Sequence, residues 1–546
     1  MKKFIKAISI ALSAVMAISM LAGCGGKKAG NTGATTEDGL PIIRYFMPND
    51  PGSEFSSDTW SILKWGEKTG TKIEIQSIQR DVFNEKLAAL LASGDLPEYI
   101  NYRNDENTTT KYGDKLFIAY EDYKDDMPNL TKWLEKYPEV WEKGKRLQDD
   151  KMYGFPRILD FVAFNSMWTI REDLLNQAGM SAKDIVTIDD LKEALLALKK
   201  VSGQPYVTSS RMGWWYFAEM TGWFFGTSPY MMFDNRRSNG TNTWIYGPTN
   251  DMYKEWVKFY AWAYENGVLH PNFISMTEQE CNAGYADGKF QLSMEQAAMG
   301  CGTLGAYNDK YPERRELPIY PVEINGERAK QPRMHHQNNG SRFPMSISKE
   351  SGNVEAAVKA LDWLYSEEGH ILTVDGEEGT HWIADDAYIS GKNSLLKGSY
   401  YQTQRLKNGE ITQEEYDNLP DAKKLGLGSA WLQPVMSEVQ RFGGPCEEDK
   451  NTYARTQAKI NNINYWVEQG YVTDPDPEPK FTEEELGEIL ELTNTLETYT
   501  SEQSLKFIFG ELDIEKDWDN FQAEIKKLGA DKLVKMYNDR YNEMYK

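Results

Sequence analysis

Cysteine is scarce: the 546 residues hold four, at positions 24, 281, 301 and 446. Three of them lie in the body of the chain, and an odd number cannot all pair within it. A Cys281–Cys301 bridge stays open, but no spacing demands one, so apolar cores rather than disulfides must hold the fold. Histidine is as rare, with five residues. His335 and His336 are adjacent, which points them apart in a strand and about 100° apart in a helix, poor geometry for one metal ion. HExxH, GxSxG and GxxxxGK[ST] are absent, and Gly426-Leu-Gly428 lacks the third glycine of a dinucleotide loop. Asp474-Pro-Asp476-Pro-Glu478 lacks the central glycine of a calcium loop. No metal and no cofactor is expected. Net positive charge is missing too. The formal charge is −22, which repels nucleic acid and anionic headgroups, so no nucleic-acid partner is expected. The chain has no internal repeat and no apolar run as long as the ~20 residues of a membrane span.

What the chain does have is 40% hydrophobic and 12% aromatic residues, enough for two or three cored domains. Strand and helix signals alternate. Pro41 to Phe46 is β-rich, and Met47 to Gly52 has turn chemistry. Trp60 to Lys68 is helical and stops at Gly70. Thr71 to Ile78 alternates as a strand. Asp81 is a candidate N-cap for a helix carrying Phe83, Leu87, Leu90 and Leu91 on one face, closed by Gly94. Leu96 to Tyr102 is again extended. This order predicts a parallel sheet covered by helices. Further on, Thr187 to Asp190 caps a helix to Val201, Asn250 to Gly267 is a strong helix, Tyr285 to Met294 is a turn feeding a strand, and Val354 to Tyr365 is helical. Trp518, Phe521, Ile525 and Leu528 form a stripe near the C-terminus. Trp214 to Phe225 shows neither a helical nor an alternating period and reads as an aromatic loop. Val472 to Pro479 (VTDPDPEP) reads as a solvated linker.

The N-terminal stretch predicts an address. Lys2, Lys3 and Lys6 precede the uncharged run Ala7 to Met20, then Leu21-Ala22-Gly23-Cys24. A basic head, a short apolar core and small residues describe a secretory signal. Leu-Ala-Gly-Cys resembles the lipobox of bacterial lipoproteins. That resemblance implies cleavage before Cys24, lipid attachment to it, and membrane association through the lipid alone. Residues 24–40, rich in Gly and Thr, would be a flexible tether of roughly 20–25 Å reach.

Motifs in order along the body resemble a family. They are Lys86 to Glu98 (KLAALLASGDLPE), Met167 to Gly179 followed by Thr187-Ile-Asp-Asp-Leu191, Tyr285-Ala-Asp-Gly-Lys289 as an F-x-x-G-K turn, and Glu377-Glu-Gly-Thr-His-Trp382, similar to a G-x-E-G-x-x-(W/Y) element. Together they resemble the extracellular solute-binding proteins of carbohydrate ABC transport, in their long lipoprotein branch. The resemblance implies an α/β, two-lobe, periplasmic-binding-protein-like fold of type II with a hinged cleft. It implies an oligosaccharide ligand, ABC permease subunits as partners, no catalysis, and a lipid-anchored monomer on the outer face of a Gram-positive cell membrane. The predicted division is 1–23 signal, 24–40 tether, 41–160 and 340–400 first lobe, and 161–339 and 401–546 second lobe. Two departures stand out. Met294 to Met299 lacks the tryptophan that often follows the G-K strand, and Lys199 to Ser210 holds no aspartate for a branch-specific calcium loop.

Sugars present C–H faces and paired hydroxyls, so aromatic side chains beside carboxylates and amides are the candidates. Trp382 and Glu378 come from the G-x-E-G resemblance. Trp214, Trp215 and Trp223 come from the aromatic segment, where stacking and packing are equally open. Asn49, Asp50, Arg103 and Asp105 follow predicted strands, where ligands of open α/β sheets bind, although capping explains such residues as readily. Glu295 and Gln296 follow the G-K strand. Arg157 and Asp160 near the lobe crossover bind a ligand or, more commonly, each other. Trp256, Trp363 and Trp518 read as core. A surface glycoside hydrolase and a peptide-binding or sensor lipoprotein remain the alternative readings.

Overall fold

A computed structural model describes residues 33–49, 55–101, 106–160, 166–296, 316–332, 345–385, 391–429, 432–437 and 466–546. The signal, Cys24 and the start of the tether lie outside these residues. The body begins with β1 (Ile42–Asn49), α1 (Trp60–Thr69), β2 (Lys72–Gln79), α2 (Arg80–Ser93) and β3 (Tyr99–Asn101). β1 pairs parallel with both β2 and β3, as the alternating signals predicted. The strand runs through Met47 and Pro48 to Asn49, into the first half of the predicted turn. α2 starts at Arg80, with Gln79 rather than Asp81 at its cap. α1 ends at Gly70, whose φ of 64° and N–H bond to the Gly66 carbonyl make the expected C-terminal cap.

Alternation along β1 builds two layers. Ile43, Tyr45 and Met47 face α1, while Phe46 faces the Phe83, Leu87 and Leu91 side of α2. Trp65 is the keystone of the first layer. Its indole stacks on Tyr99 (5.6 Å, 1° between planes), meets Tyr45 edge-on and donates to the Ala360 carbonyl at 2.8 Å.

The second core is built on an antiparallel sheet. β4 (Ser166–Arg171) is central, followed in the chain by α3 (Ile188–Ser202), α4 (Gly213–Phe225), α5 (Asp251–Glu265), β5 (Leu292–Gln296) and β6 (Glu316–Ile319). β5 and β6 flank β4. Thr187 and Asp190 close a capping box on α3, as the sequence predicted, and the Asn250 side chain caps α5. The chain then returns to the first sheet through β7 (Met345–Ile347), antiparallel to β3, and α6 (Val354–Leu364), which packs on α1. Finally α7 (Glu483–Ile508), α8 (Ile514–Lys527) and α9 (Ala530–Tyr545) put Leu496, Phe507, Phe521, Ile525 and Leu533 into the second core.

Two boundaries differ from the sequence reading. Residues 401–546 were assigned to the second lobe, yet Leu432 and Val435 lie in the first core, and Val435–Ser437 pairs with Ile158–Asp160. The chain thus crosses between cores after Asp160, after Pro332 and after Ser437. The segment Val472 to Pro479 is no solvated linker. Val472–Thr473 pairs with Gln331–Pro332, Asp476 takes an ion pair from buried Arg236 at 2.9 Å, and the Pro477 carbonyl accepts from Trp244 Nε1 at 3.2 Å. Its prolines hold it extended against both cores: Glu478 pairs with Lys143 at 2.7 Å and Lys480 Nζ donates to the Glu142 carbonyl at 2.6 Å.

Candidate functional site

The carboxyl ends of β1 and β3 carry two buried amides. Asn49 is 6% exposed and Asn101 fully buried. Asn101 Nδ2 donates to the Tyr45 hydroxyl at 3.0 Å, and neither side-chain oxygen accepts a hydrogen bond among the described residues. Buried amides are ordinarily satisfied, so these two shielded oxygens stand out as unpaired acceptors among the described residues. Asp50, Arg103 and Asp105, the other candidates at these strand ends, lie outside the described residues.

Trp382 opens a small hairpin, Trp382–Ala384 against Lys392–Ser394. Its Nε1 donates to the Gly376 carbonyl at 3.1 Å, and Lys392 Nζ lies 4.7 Å from its ring and 2.5 Å from Asp375. Gly376 has φ of 83°, and a Cβ there would meet the His381 ring within 3 Å, so this turn needs glycine. His381 Nδ1 accepts from the Glu377 N–H, and its ring meets Trp60 edge-on. The G-x-E-G turn, Glu378 included, is thereby tied to the start of α1.

In the second lobe the aromatic segment corrects the sequence reading: it is helix α4, not a loop. Its residues are apolar nearly all round, so no polar stripe reveals the period. As a helix it separates the three tryptophans. Trp214 packs on Trp256 and Phe217. Trp215, Glu219 and Trp223, spaced i, i+4 and i+8, share the other face. Trp215 is 43% exposed. Trp223 lies under the Arg236 guanidinium (4.7 Å), and its Nε1 meets no acceptor among the described residues.

Glu295 is buried and fully engaged. Arg211 Nε donates to both its oxygens at 3.1 and 3.2 Å, and the Tyr216 hydroxyl donates to Oε2. Burial and the Glu295 charge push the Tyr216 phenol well above its ordinary range, which keeps it a donor. Gln296 stands opposite Ser166 in the sheet register. Asp160 is held by Lys136 at 2.5 Å and by the Tyr137 hydroxyl. Cys281 beneath this network is a free buried thiol pushed up to about 12, and so unreactive. Cys301 and Cys446 lie outside the described residues. Among the described residues no cluster of His, Cys, Asp or Glu could hold a metal ion.

A cavity of about 230 Å³ opens between α4 and α7, lined by Trp214, Trp215, Tyr230, Glu497, Thr498 and Ser501, among others. Tyr230 and Glu497 also line an adjoining cavity of about 290 Å³. Burial pushes the Glu497 carboxyl up to about 7. Sequence reasoning missed Glu219, Tyr230 and Glu497. Only the Trp215–Glu219–Trp223 spacing could have signalled the first, and nothing local joins Glu497 to Trp215.

Residues 54–371 match the family of bacterial extracellular solute-binding proteins. The chain belongs to that family. This solute-binding protein is similar to lipoprotein LipO of Bacillus subtilis strain 168, 21% identical over 482 residues, covering 82% of this chain and 91% of LipO. Its fold matches alginate-binding protein AlgQ2 without calcium ion (TM-score 0.69, 16% identity, 94% of this chain and 100% of that one). It also matches the solute-binding protein of Bifidobacterium longum infantis described as binding HMO (0.69, 17%, 92% and 99%). A third match is the EF-hand mutant of FusA from Streptococcus pneumoniae in complex with fructo-nystose (0.67, 19%, 92% and 99%). At these identities the likeness establishes the fold: two lobes of mixed α/β structure, as the motif order predicted.

Proposed function

We propose that this solute-binding protein captures an oligosaccharide outside the cell, releases it unaltered to ABC permease subunits, and is held to the membrane as a monomer by lipid on Cys24. The observation that carries the ligand class is the Trp215–Glu219–Trp223 face of α4, a partly exposed indole in line with a carboxylate. Stacking on C–H faces together with hydroxyl acceptors is the chemistry a sugar requires. The carboxamide oxygens of Asn49 and Asn101, which accept no hydrogen bond among the described residues, add acceptors in the first lobe, and Trp382 with Glu378 a further ring and carboxylate. Related folds whose names mention alginate and fructo-nystose support the same class, and the name of LipO supports the lipid anchor. Binding near ~1 µM is about −8 kcal/mol, within reach of a few stacked rings and paired hydrogen bonds. Isothermal titration of the soluble body against a broad panel of oligosaccharides tests this, with a reducing-end assay on the recovered sugar. Heat with intact sugar supports capture. Silence across the panel, or shortened sugar, refutes it.

A further inference from the structure

The cavity between α4 and α7 has a chemistry of its own. Its volume, about 230 Å³, is below the ~300–1,000 Å³ of pockets that take a whole drug-sized ligand, so it suits one ring rather than a chain. One wall is the indole of Trp215, 43% exposed. Trp214, Pro229, Tyr230, Thr498, Thr500 and Ser501 line the rest; the Thr500 hydroxyl is bonded to that of Tyr246 at 2.9 Å, and the Thr498 and Ser501 hydroxyls donate to the Asn494 and Thr498 carbonyls. Glu497 is the acceptor. Its side chain makes no hydrogen bond and no ion pair among the described residues, although it is largely removed from water. No lysine or arginine lines either this cavity or the adjoining one. The carboxylates that act on the Tyr230 hydroxyl are Glu497 and, on α4, Glu219; Glu478, which lines the adjoining cavity, is paired with Lys143 at 2.7 Å.

We propose that this cavity is a subsite for a single uncharged sugar ring and that it rejects uronate rings. The proposal rests on the oligosaccharide reading above and narrows it. A neutral ring lays a C–H face on Trp215 and donates hydroxyls to Glu497, a charge-assisted bond about twice as strong as a neutral one. A uronate carboxylate brings a second negative charge beside Glu497, and among the described residues no lysine or arginine lines the cavity to offset it, in a site of reduced dielectric where like charges repel strongly.

The test is calorimetric titration of the native protein, Glu497→Gln and Trp215→Ala against neutral gluco-, manno-, xylo- and fructo-oligosaccharides and against oligogalacturonate and oligomannuronate, at pH 6 and 8. The native protein is expected to bind a neutral member and no oligouronate. Trp215→Ala and Glu497→Gln are each expected to weaken neutral binding about tenfold at pH 8. Native affinity is expected to fall from pH 8 to pH 6 as Glu497 takes up a proton, and the Glu497→Gln affinity to stay flat. Native-like affinity in both variants overturns the subsite and leaves oligosaccharide capture standing. Equal native affinity for oligouronates overturns the selectivity. Failure of every panel member to bind refutes capture itself, and the subsite with it.

Discussion

At the scale of single residues, the clearest case is a candidate whose side chain is already spoken for. Glu295 is 2% exposed and Arg211 3%, and the two meet 84 positions apart in the chain. That distance is why the strand-end position of Glu295 was legible and its partner was not. Glu295→Ala leaves a buried guanidinium with the half-exposed Glu278 and the Tyr216 hydroxyl as its remaining partners among the described residues, so urea denaturation is expected to show a loss of about 3–5 kcal/mol. Glu497 poses the opposite case. Its carboxyl titrates near 7 in the folded protein and near the ordinary value, about 4.3, when unfolded. A raised carboxyl pKa means that the folded state binds more protons in that window, so stability falls as pH rises from ~4.5 to ~7 and the contribution is gone above 7. Because the side chain keeps some contact with water, the effect is about 1–2 kcal/mol. Glu497→Gln is expected to flatten that slope and to be the more stable protein at pH 8, read by urea midpoints at pH 5 and 8.

Elements were legible wherever a local signal repeats. Gly70 and the Thr187–Asp190 box mark helix ends by their own chemistry, and β1 to β3 declare themselves by alternating with helices. α4 was illegible for a physical reason: a helix buried on most of its surface has no polar stripe to give the period. Likewise Asp474 to Pro479 has a linker's composition, and only Arg236, Lys143 and Trp244, distant in sequence, turn it into a fixed strap. The long α7 starts at Thr482, whose hydroxyl accepts from the Glu485 N–H while Glu485 returns the bond to the Thr482 N–H. Thr482→Ala is expected to lower stability by about 0.5–2 kcal/mol in chemical denaturation. Trp65→Ala, which empties the keystone between α1, β3 and α6, is expected to cost about 3–5 kcal/mol by the same measurement.

For the whole molecule, the order of modest motifs carried more than any one of them: it foretold two α/β lobes and the family. The exact division did not follow, because Leu432 and Val435 join the first core, contacts that no local pattern announces. Two separate cores predict separable unfolding. A calorimetric scan of Trp65→Ala is expected to shift the transition of the first core and leave that of the second in place, whereas a single transition shifting as a unit would show the cores to be coupled. Finally, the strap that leaves the second core is gripped by the first at Lys143, at the Glu142 carbonyl and, more loosely, at Lys115, 3.9 Å from Glu483. Any swing of one half past the other has to drag these ionic handholds along or let them go. Their grip weakens as the surrounding electrolyte thickens, over a screening length of ~8 Å at physiological strength. Ionic strength is thereby expected to set how firmly this strap ties the two halves together.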